Sequence, residues 1–475
     1  FNLQGVLYLK GDVMLEVFKS IKLDKNGKEP LYEQLYSQLA NLIKDGTLLP
    51  DFRLPAIRKL SEQLQVNPVT VVSAYRLLEN NKLAYSKQGS GTFVASVLPI
   101  ENTYAEAPGI ISDEIYNQDD YLLISSGQIK INADTINFAS ATPTADLFPV
   151  ENFKLVINKV LDQDKGAAFG YQDSRGHYPL REAISVLMQK KHITCSADDI
   201  QIISGAQQGI DIISKAFLRQ GDSVITESPT YTGAVAVFKS RGAQVIDVEM
   251  EEGGPSLNAV EYYMKKYKPK LIYTIPSFQN PTGYSYTNVK RKELLKLAEK
   301  YNAYIVEDDY VSDLDFEDRN YMPIKSYDEN NRVIFVKSFS KIFMPGLRLG
   351  FMVVPANLQN SILEAKHTTD ISTSALLQRA FNLYIREGFW TSHFNFMYEN
   401  YKQRYEKVIN ALDRFGSDKI KYSKPGGGLN IWLTLPGGLP VNTLLKVCAA
   451  NNVVFAPGRI FYSDSTSTRF NNIRI

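Results

Sequence analysis

Apolar residues recur at helical spacing near the start of the chain. Leu31, Leu35, Leu39 and Leu42 fall on one face of a helix that opens after Pro30 and stops at Asp45-Gly46. A second, short helix follows Leu54-Pro55, with Ile57, Leu60 and Leu64 on a shared face and Arg58 and Lys59 turned away from it. Gln65-Val66 connects tightly to a third helix, in which Asn67 is the N-cap and Pro68 takes the first position, where a missing N–H costs nothing. Val71, Ala74, Tyr75 and Leu78 form its apolar stripe. The period then changes. Leu83-Ala84-Tyr85-Ser86 and Thr92-Phe93-Val94-Ala95 bracket Lys87-Gln88-Gly89-Ser90-Gly91, which reads as a hairpin. Three helices and a hairpin outline a winged helix-turn-helix, mostly α with a β wing, whose third helix enters the DNA major groove.

From about Ser96 to Lys130 the chain is polar and irregular, as an interdomain linker would be. Beyond Ile136, strands and amphipathic helices alternate almost to the end. Ile200-Gln201-Ile202-Ile203, Ser223-Val224-Ile225-Thr226, Gln244-Val245-Ile246-Asp247, Leu271-Ile272-Tyr273-Thr274, Ala303-Tyr304-Ile305-Val306 and Val333-Ile334-Phe335-Val336 are the strand candidates. This rhythm predicts an α/β domain with a mostly parallel sheet covered on both faces. The expected organisation is an extension over 1–19, whose first residues read as an appended remnant, a winged helix over 20–95, a linker over 96–135 and an α/β domain over 136–475.

Composition narrows the function classes. With 475 residues and 44% hydrophobic content the chain can bury two or three cores. A net charge of +2 gives no electrostatic argument for nucleic acid, so the DNA reading rests on the helical motif alone. Cys195 and Cys448 stand far apart, which excludes a disulfide framework or a cysteine zinc site, and no metal centre is expected. No apolar run approaches the roughly 18 to 20 residues of a transmembrane helix, and a cytoplasmic location is expected.

The chemistry-bearing residues follow the strands. Ser338-Phe339-Ser340-Lys341 leaves the last strand candidate, with Arg348 seven residues on. A lysine at a strand's carboxyl end can form a Schiff base with an aldehyde cofactor, and the serines and arginine can anchor a phosphate. Upstream, Ser204-Gly205-Ala206-Gln207-Gln208-Gly209 is a glycine turn ahead of a helix expected from Ile210, suited to a phosphate. Tyr231 follows the next strand and can stack on an aromatic ring. Asn280-Pro281-Thr282-Gly283 is a candidate cis bond. Glu307-Asp308-Asp309-Tyr310 offers a carboxylate to keep a pyridine nitrogen protonated and a hydroxyl for the ring's oxygen.

Residues 30 to 95 resemble the GntR superfamily of bacterial regulators, through Leu54-Pro55-Ala56-Ile57-Arg58-Lys59-Leu60, Val69-Thr70-Val71 and Gly89-Ser90-Gly91-Thr92-Phe93-Val94. That resemblance implies contacts to double-stranded operator DNA from Arg58, Thr70, Lys87, Gly89 and Gly91. Asn67-Pro68 stands where such proteins often carry Ser-Arg, so the operator cannot be carried over.

Residues 136 to 475 resemble the fold-type I pyridoxal 5'-phosphate enzymes of the aspartate aminotransferase family, through N-P-x-G, D-x-Y, S-x-S-K and G-x-R-x-G in that order. By resemblance, Lys341 forms the internal aldimine, Asp308 pairs with the pyridine nitrogen, and Asn280 and Tyr310 bond the phenolic oxygen. Arg348, Ser338, Ser340 and the Ala206-Gln207 backbone hold the phosphate, and Tyr231 stacks on the ring. Tyr171 matches the tyrosine that reaches a partner subunit's phosphate, which implies a homodimer, and Arg474 matches the arginine that grips a substrate carboxylate. Ala141 stands where a glycine is often found, and the strand usual after the carboxylate arginine is not in this sequence.

A winged helix ahead of such a domain is similar to the MocR-type subfamily of GntR regulators, which sense pyridoxal phosphate itself or an amine that exchanges with the lysine. An active aminotransferase carrying an accessory DNA-binding module shares every cofactor residue named. A degenerate domain that binds no cofactor would leave the joint presence of Lys341, Asp308, Tyr310, Asn280 and Arg348 to coincidence.

Overall fold

The computed structural model describes residues 18, 21, 23–25, 30–44, 47–48, 52–81, 83–87, 91–95, 134–251, 253–416, 419–437, 439, 441–463 and 471–475. The first residues, expected to be a remnant, the expected linker as far as residue 133, and Gly89 lie outside the described residues. The chain divides into two compact units, Phe1–Ala107 and Pro108–Ile475.

In the first unit α1 (Leu31–Lys44), α2 (Ile57–Leu64) and α3 (Pro68–Asn80) precede β1 (Ala84–Lys87) and β2 (Gly91–Val94). Leu35, Leu39, Leu60, Val71, Ala74 and Leu78 are buried together. Leu31 and Leu42 are only half-buried, and Ala40 and Ile43 complete the inner stripe of α1 instead. Asn67 caps α3 through its side-chain oxygen, which accepts from Val69 N at 2.9 Å. The Tyr75 hydroxyl donates to Pro55 O at 2.8 Å and ties α3 to the turn before α2. The first wing strand starts one residue later than its sequence suggests, because Leu83 N bonds back to Leu78 O at 2.8 Å and closes the helix. The wing gains a third edge. Leu54 N donates to Thr92 O at 2.9 Å and Val94 N to Phe52 O at 2.8 Å, which sets Arg53 opposite Phe93.

The second unit opens with β3 (Ile136–Asn137), α4 (Val150–Asp164) and α5 (Tyr178–Gln189). Then come β4 (Ile200–Ile203), α6 (Ala206–Phe217), β5 (Ser223–Ser228), α7 (Thr232–Ser240), β6 (Gln244–Glu251) and β7 (Gly254–Pro255). These lead to α8 (Leu257–Tyr267), β8 (Leu271–Thr274), α9 (Asn288–Lys300), β9 (Tyr304–Asp309), β10 (Val333–Ser338) and β11 (Gly350–Val353). The eight-stranded sheet has the order β4-β11-β10-β9-β8-β5-β6-β7. From β10 to β6 the neighbours are parallel, while β11 runs against both β10 and β4. Every residue of β4, β8, β10 and β11 is buried, so these strands are unbroken apolar-rich runs without alternation.

After the sheet, α10 (Gln359–Asp370), α11 (Ala375–Arg386) and the long α12 (Phe389–Phe415) lead to β12 (Lys421–Tyr422), β13 (Trp432–Thr434), α13 (Val441–Ala450), β14 (Val453–Val454), β15 (Ala456–Pro457) and β16 (Asn472–Arg474). A four-stranded sheet, β12-β13-β16-β15, packs Trp432, Leu433, Phe455 and Ile473 into a second core. Among the described residues no helix is long and apolar enough to cross a membrane.

Candidate functional site

The carboxyl ends of β4, β5, β8, β9 and β10 open on one cavity of about 460 Å³. Such strand ends are where open α/β sheets place ligands. Ala206, Gln207, Tyr231, Asn280, Asp308, Tyr310, Ser338, Ser340, Lys341, Arg348 and Arg474 all line it. Tyr171 does not: its side chain is 90% exposed, outside the cavity.

Three consecutive acids at the end of β9 take three different tasks. Glu307 accepts from Ile324 N and Lys325 N, both at 2.8 Å, and so fixes the turn before β10. Asp309 meets Lys337 Nζ at 3.1 Å, and Lys337 also bonds Asp313 at 2.6 Å, a buried ion cluster in which both acids hold the lysine charged. Only Asp308, between them, lines the cavity. Its Oδ2 accepts from the Tyr273 hydroxyl at 2.7 Å, while Oδ1 is buried with no partner among the described residues. Burial pushes this carboxyl up to about 7, against the lowering by the Tyr273 hydrogen bond.

Lys341 sits just past β10 with its carbonyl accepting from Tyr401 OH at 2.8 Å. Burial, and then the nearby Arg474 cation, bring its amine down to about 8. A larger neutral fraction at neutral pH makes it a better nucleophile. Arg474 donates from Nη1 to Asn280 Oδ1 at 3.0 Å and from Nη2 to Ala139 O, and its guanidinium lies 4.9 Å from the Phe461 ring centre. Asn280-Pro281 is cis, as its sequence suggested.

The turn after β4 is built around Gly205, at φ 90°; a Cβ there would lie 2.6 Å from Arg348 Nη2. Arg348 in turn donates to Ser204 O at 2.9 Å. The helix starts at Ala206, not Ile210 as expected, which brings its first N–H groups to the cavity wall. Gly209, read as part of the turn, is inside the first helical turn, where a Cβ would meet Ile203 Cδ1 at 2.7 Å. Tyr231 donates its hydroxyl to Gln207 Oε1 at 2.9 Å in the cavity wall.

Four residues escaped the sequence reading: Tyr273, Tyr401, Phe461 and Asn430. Tyr273 carried a usable signal, since a hydroxyl in a strand buried on both faces must find a partner. Asn430 bonds Tyr310, whose hydroxyl donates to Phe278 O at 2.6 Å and accepts from Asn430 Nδ2 at 2.7 Å.

In the first unit Arg58 and Lys87 are exposed and Thr70 is half-buried in the first turn of α3. The Lys87 ammonium lies 5.5 Å from the Tyr85 ring and 5.4 Å from the Phe93 ring. Gly91 has φ 113°, and a Cβ there would lie 3.1 Å from Arg53 Nε. Arg53, exposed on the third edge of the wing, is a cation that the motifs did not single out.

Residues 133–472 match the family described as aminotransferase class I and II, and residues 31–94 match the bacterial regulatory proteins of the gntR family. The chain therefore belongs to the aminotransferase class I and II family, whose fold is pyridoxal-phosphate dependent, and carries a GntR helix-turn-helix ahead of it. Within that class it is a transcription regulator of the MocR-type GntR subfamily. A regulatory protein of Rhizobium meliloti named MocR is 28% identical over 436 residues, spanning 92% of this chain and 88% of that protein. Aromatic-amino-acid aminotransferase 1 of Thermococcus litoralis is 33% identical over 337 residues, 70% of this chain and 81% of that protein. The multiple substrate aminotransferase of Thermococcus profundus, a solved structure, superposes with a TM-score of 0.70 at 30% identity, covering 76% of this chain and 89% of that one.

Proposed function

We propose that this regulator binds pyridoxal phosphate in the strand-end cavity and senses either the cofactor itself or an amino compound that exchanges with Lys341, its winged helix giving the output on operator DNA. Asp308 carries the reading. A buried carboxylate with one oxygen satisfied by Tyr273 and the other without a partner among the described residues calls for a donor from a ligand, and a protonated ring nitrogen is such a donor. Gly205 supports it too, because the space beside Arg348 that a Cβ would fill is the kind of cradle a phosphate requires. When bound, pyridoxal phosphate supplies an aldehyde that primary amines take by exchange and a ring that draws electrons.

The protein's own groups do the rest. Arg348, Ser338, Ser340 and the first turn of α6 at Ala206 and Gln207 hold the phosphate, Tyr231 stacks on the ring, and Asn280 and Tyr310 hold the phenolic oxygen, Tyr310 by turning its one hydroxyl hydrogen away from Phe278 O. Lys341 contributes an amine whose proton burial has loosened. Arg474 takes a ligand carboxylate, for which that carboxylate must compete with Asn280 Oδ1 and Ala139 O. Tyr171, exposed on the single chain, is assigned to the phosphate of a second copy in a homodimer.

A second reading, an aminotransferase with an accessory DNA-binding module, is favoured by the likeness to the Thermococcus aminotransferases. One preparation separates the two. Operator titrations with and without pyridoxal phosphate and amine are run beside a transamination assay. A ligand-dependent shift in DNA affinity with little turnover supports the regulator; fast multiple turnover with unchanged DNA affinity supports the enzyme.

A further inference from the structure

A second cavity, of about 230 Å³, adjoins the first. Ala141, Thr142 and Asn430 line both. Beyond that shared wall the second cavity is walled by Phe138, Tyr401, Tyr405, Val408, Leu429 and Ile431, and Arg404 stands exposed at its edge, with Nη2 3.4 Å from Thr144 Oγ1.

The shared wall holds an unmet hydrogen bond. The Tyr310 hydroxyl gives its hydrogen to Phe278 O, so toward Asn430 it can only accept, and the Asn430 amide must present its NH2 there. Asn430 Oδ1 therefore points elsewhere, and it is buried without a partner among the described residues, in a residue 2% exposed. A buried carbonyl oxygen in that state is costly unless a ligand or water supplies a donor. The other shared residue is also unusual. Ala141 has φ 43°, the left-handed region, so the chain turns sharply at the boundary between the cavities.

We infer that the second cavity receives the side chain of the amino compound that enters the first, and that this compound therefore carries a bulky, mostly apolar side chain with one hydrogen-bond donor for Asn430. The inference rests on the reading that an amine enters the first cavity, and it adds the chemical class. Apolar walls reward a large side chain, and the volume exceeds what a methyl group can fill. Val408 decides how much room there is, and it belongs to none of the cofactor-binding groups.

Protein loaded with pyridoxal phosphate is titrated by absorbance with L-alanine, L-phenylalanine and L-tryptophan. Wild type is expected to bind both aromatic amino acids more tightly than alanine, and tryptophan more tightly than phenylalanine, because the indole N–H supplies the donor for Asn430 that phenylalanine lacks. Val408→Trp is expected to weaken both aromatic amines about tenfold or more, the scale of losing a few methylene contacts, while alanine stays within about twofold. Ala141→Gly, a change favoured at that φ, removes the methyl at the boundary and is expected to strengthen tryptophan binding. Equal affinities for all three amines in wild type, or a Val408→Trp loss that is the same for each, overturn the inference and leave the sensing proposal standing. No spectral response to any amine overturns both.

Discussion

Tyr273 donates its hydroxyl hydrogen to Asp308 Oδ2 at 2.7 Å, and among the described residues this is the one hydrogen bond that the cavity-facing carboxylate receives. Burial holds that carboxyl at about 7, above its value in an unfolded chain, so the folded state keeps a proton that the unfolded state has released. The resulting stability is complete below about pH 4 and is lost as pH rises through 7. Asp308→Asn is expected to flatten that part of the pH–stability curve in the cofactor-free protein and to weaken cofactor retention. Denaturant titrations of wild type and variant from pH 4 to 8 test it, and identical slopes would refute it.

Lys341 is expected to react with pyridoxal phosphate at a rate that rises with pH through about 8, as the amine loses its proton. Since Arg474 helps lower that value, Arg474→Gln is expected to shift the profile to higher pH. Borohydride reduction and peptide mass mapping locate the adduct. Lys341→Ala abolishes it; an adduct on Lys337, whose ammonium is locked between Asp309 and Asp313, would sink the assignment.

Gly205→Ala puts a methyl 2.6 Å from Arg348 Nη2 at a φ of 90° that alanine resists. Cofactor retention is expected to fall, as in Arg348→Ala, with the lysine still able to react with free aldehydes. Equilibrium dialysis against pyridoxal phosphate reads the first effect and mass mapping the second. Retention equal to wild type in both variants would remove this turn from the phosphate site.

Arg58→Ala and Lys87→Ala are expected to weaken operator binding across sequences and lower the salt slope by about one each, the signature of a lost phosphate contact. Thr70→Ala, at the first turn of α3, is expected to change sequence preference as well. Fluorescence titrations at several salt concentrations distinguish the cases, and unchanged affinity in all three variants would contradict this surface.

Ligand binding can change DNA affinity only through a difference in affinity between two arrangements of the protein. A suitable amine is expected to change operator affinity by about 5- to 150-fold, the usual range of coupling energies. Lys341→Ala is expected to abolish the response while leaving basal DNA binding intact. Operator titrations with and without amine on both proteins read the difference, and an equal response in the variant would place the signal outside the lysine.

The two fold classes, the helices of the winged unit with Asn67 and Pro68 at the third helix's start, and the positions of most sheet strands were legible in the sequence. Those features are local: a period of apolar residues, a cap, a proline, a short run of β-branched side chains. The motifs also named most of the cavity, because each lies directly after a strand. Alternation along β9 separates neighbours without saying which face is which; the D-x-Y resemblance singled out Asp308 from Glu307 and Asp309, and the folded chain turns that one of the three to the cavity. Only the tertiary structure decided that β11 runs antiparallel, as Gly350-Phe351-Met352-Val353 has no alternation to read, and that α6 begins at Ala206, because Gly209 is required by close packing on Ile203 and not by a turn. Tyr273 offered a hint, a hydroxyl in a fully buried strand, but its partner and that of Asn430 were out of reach for the same reason. Their roles come from hydrogen bonds to Asp308 and Tyr310 at separations of 35 and 120 residues, which no local pattern encodes.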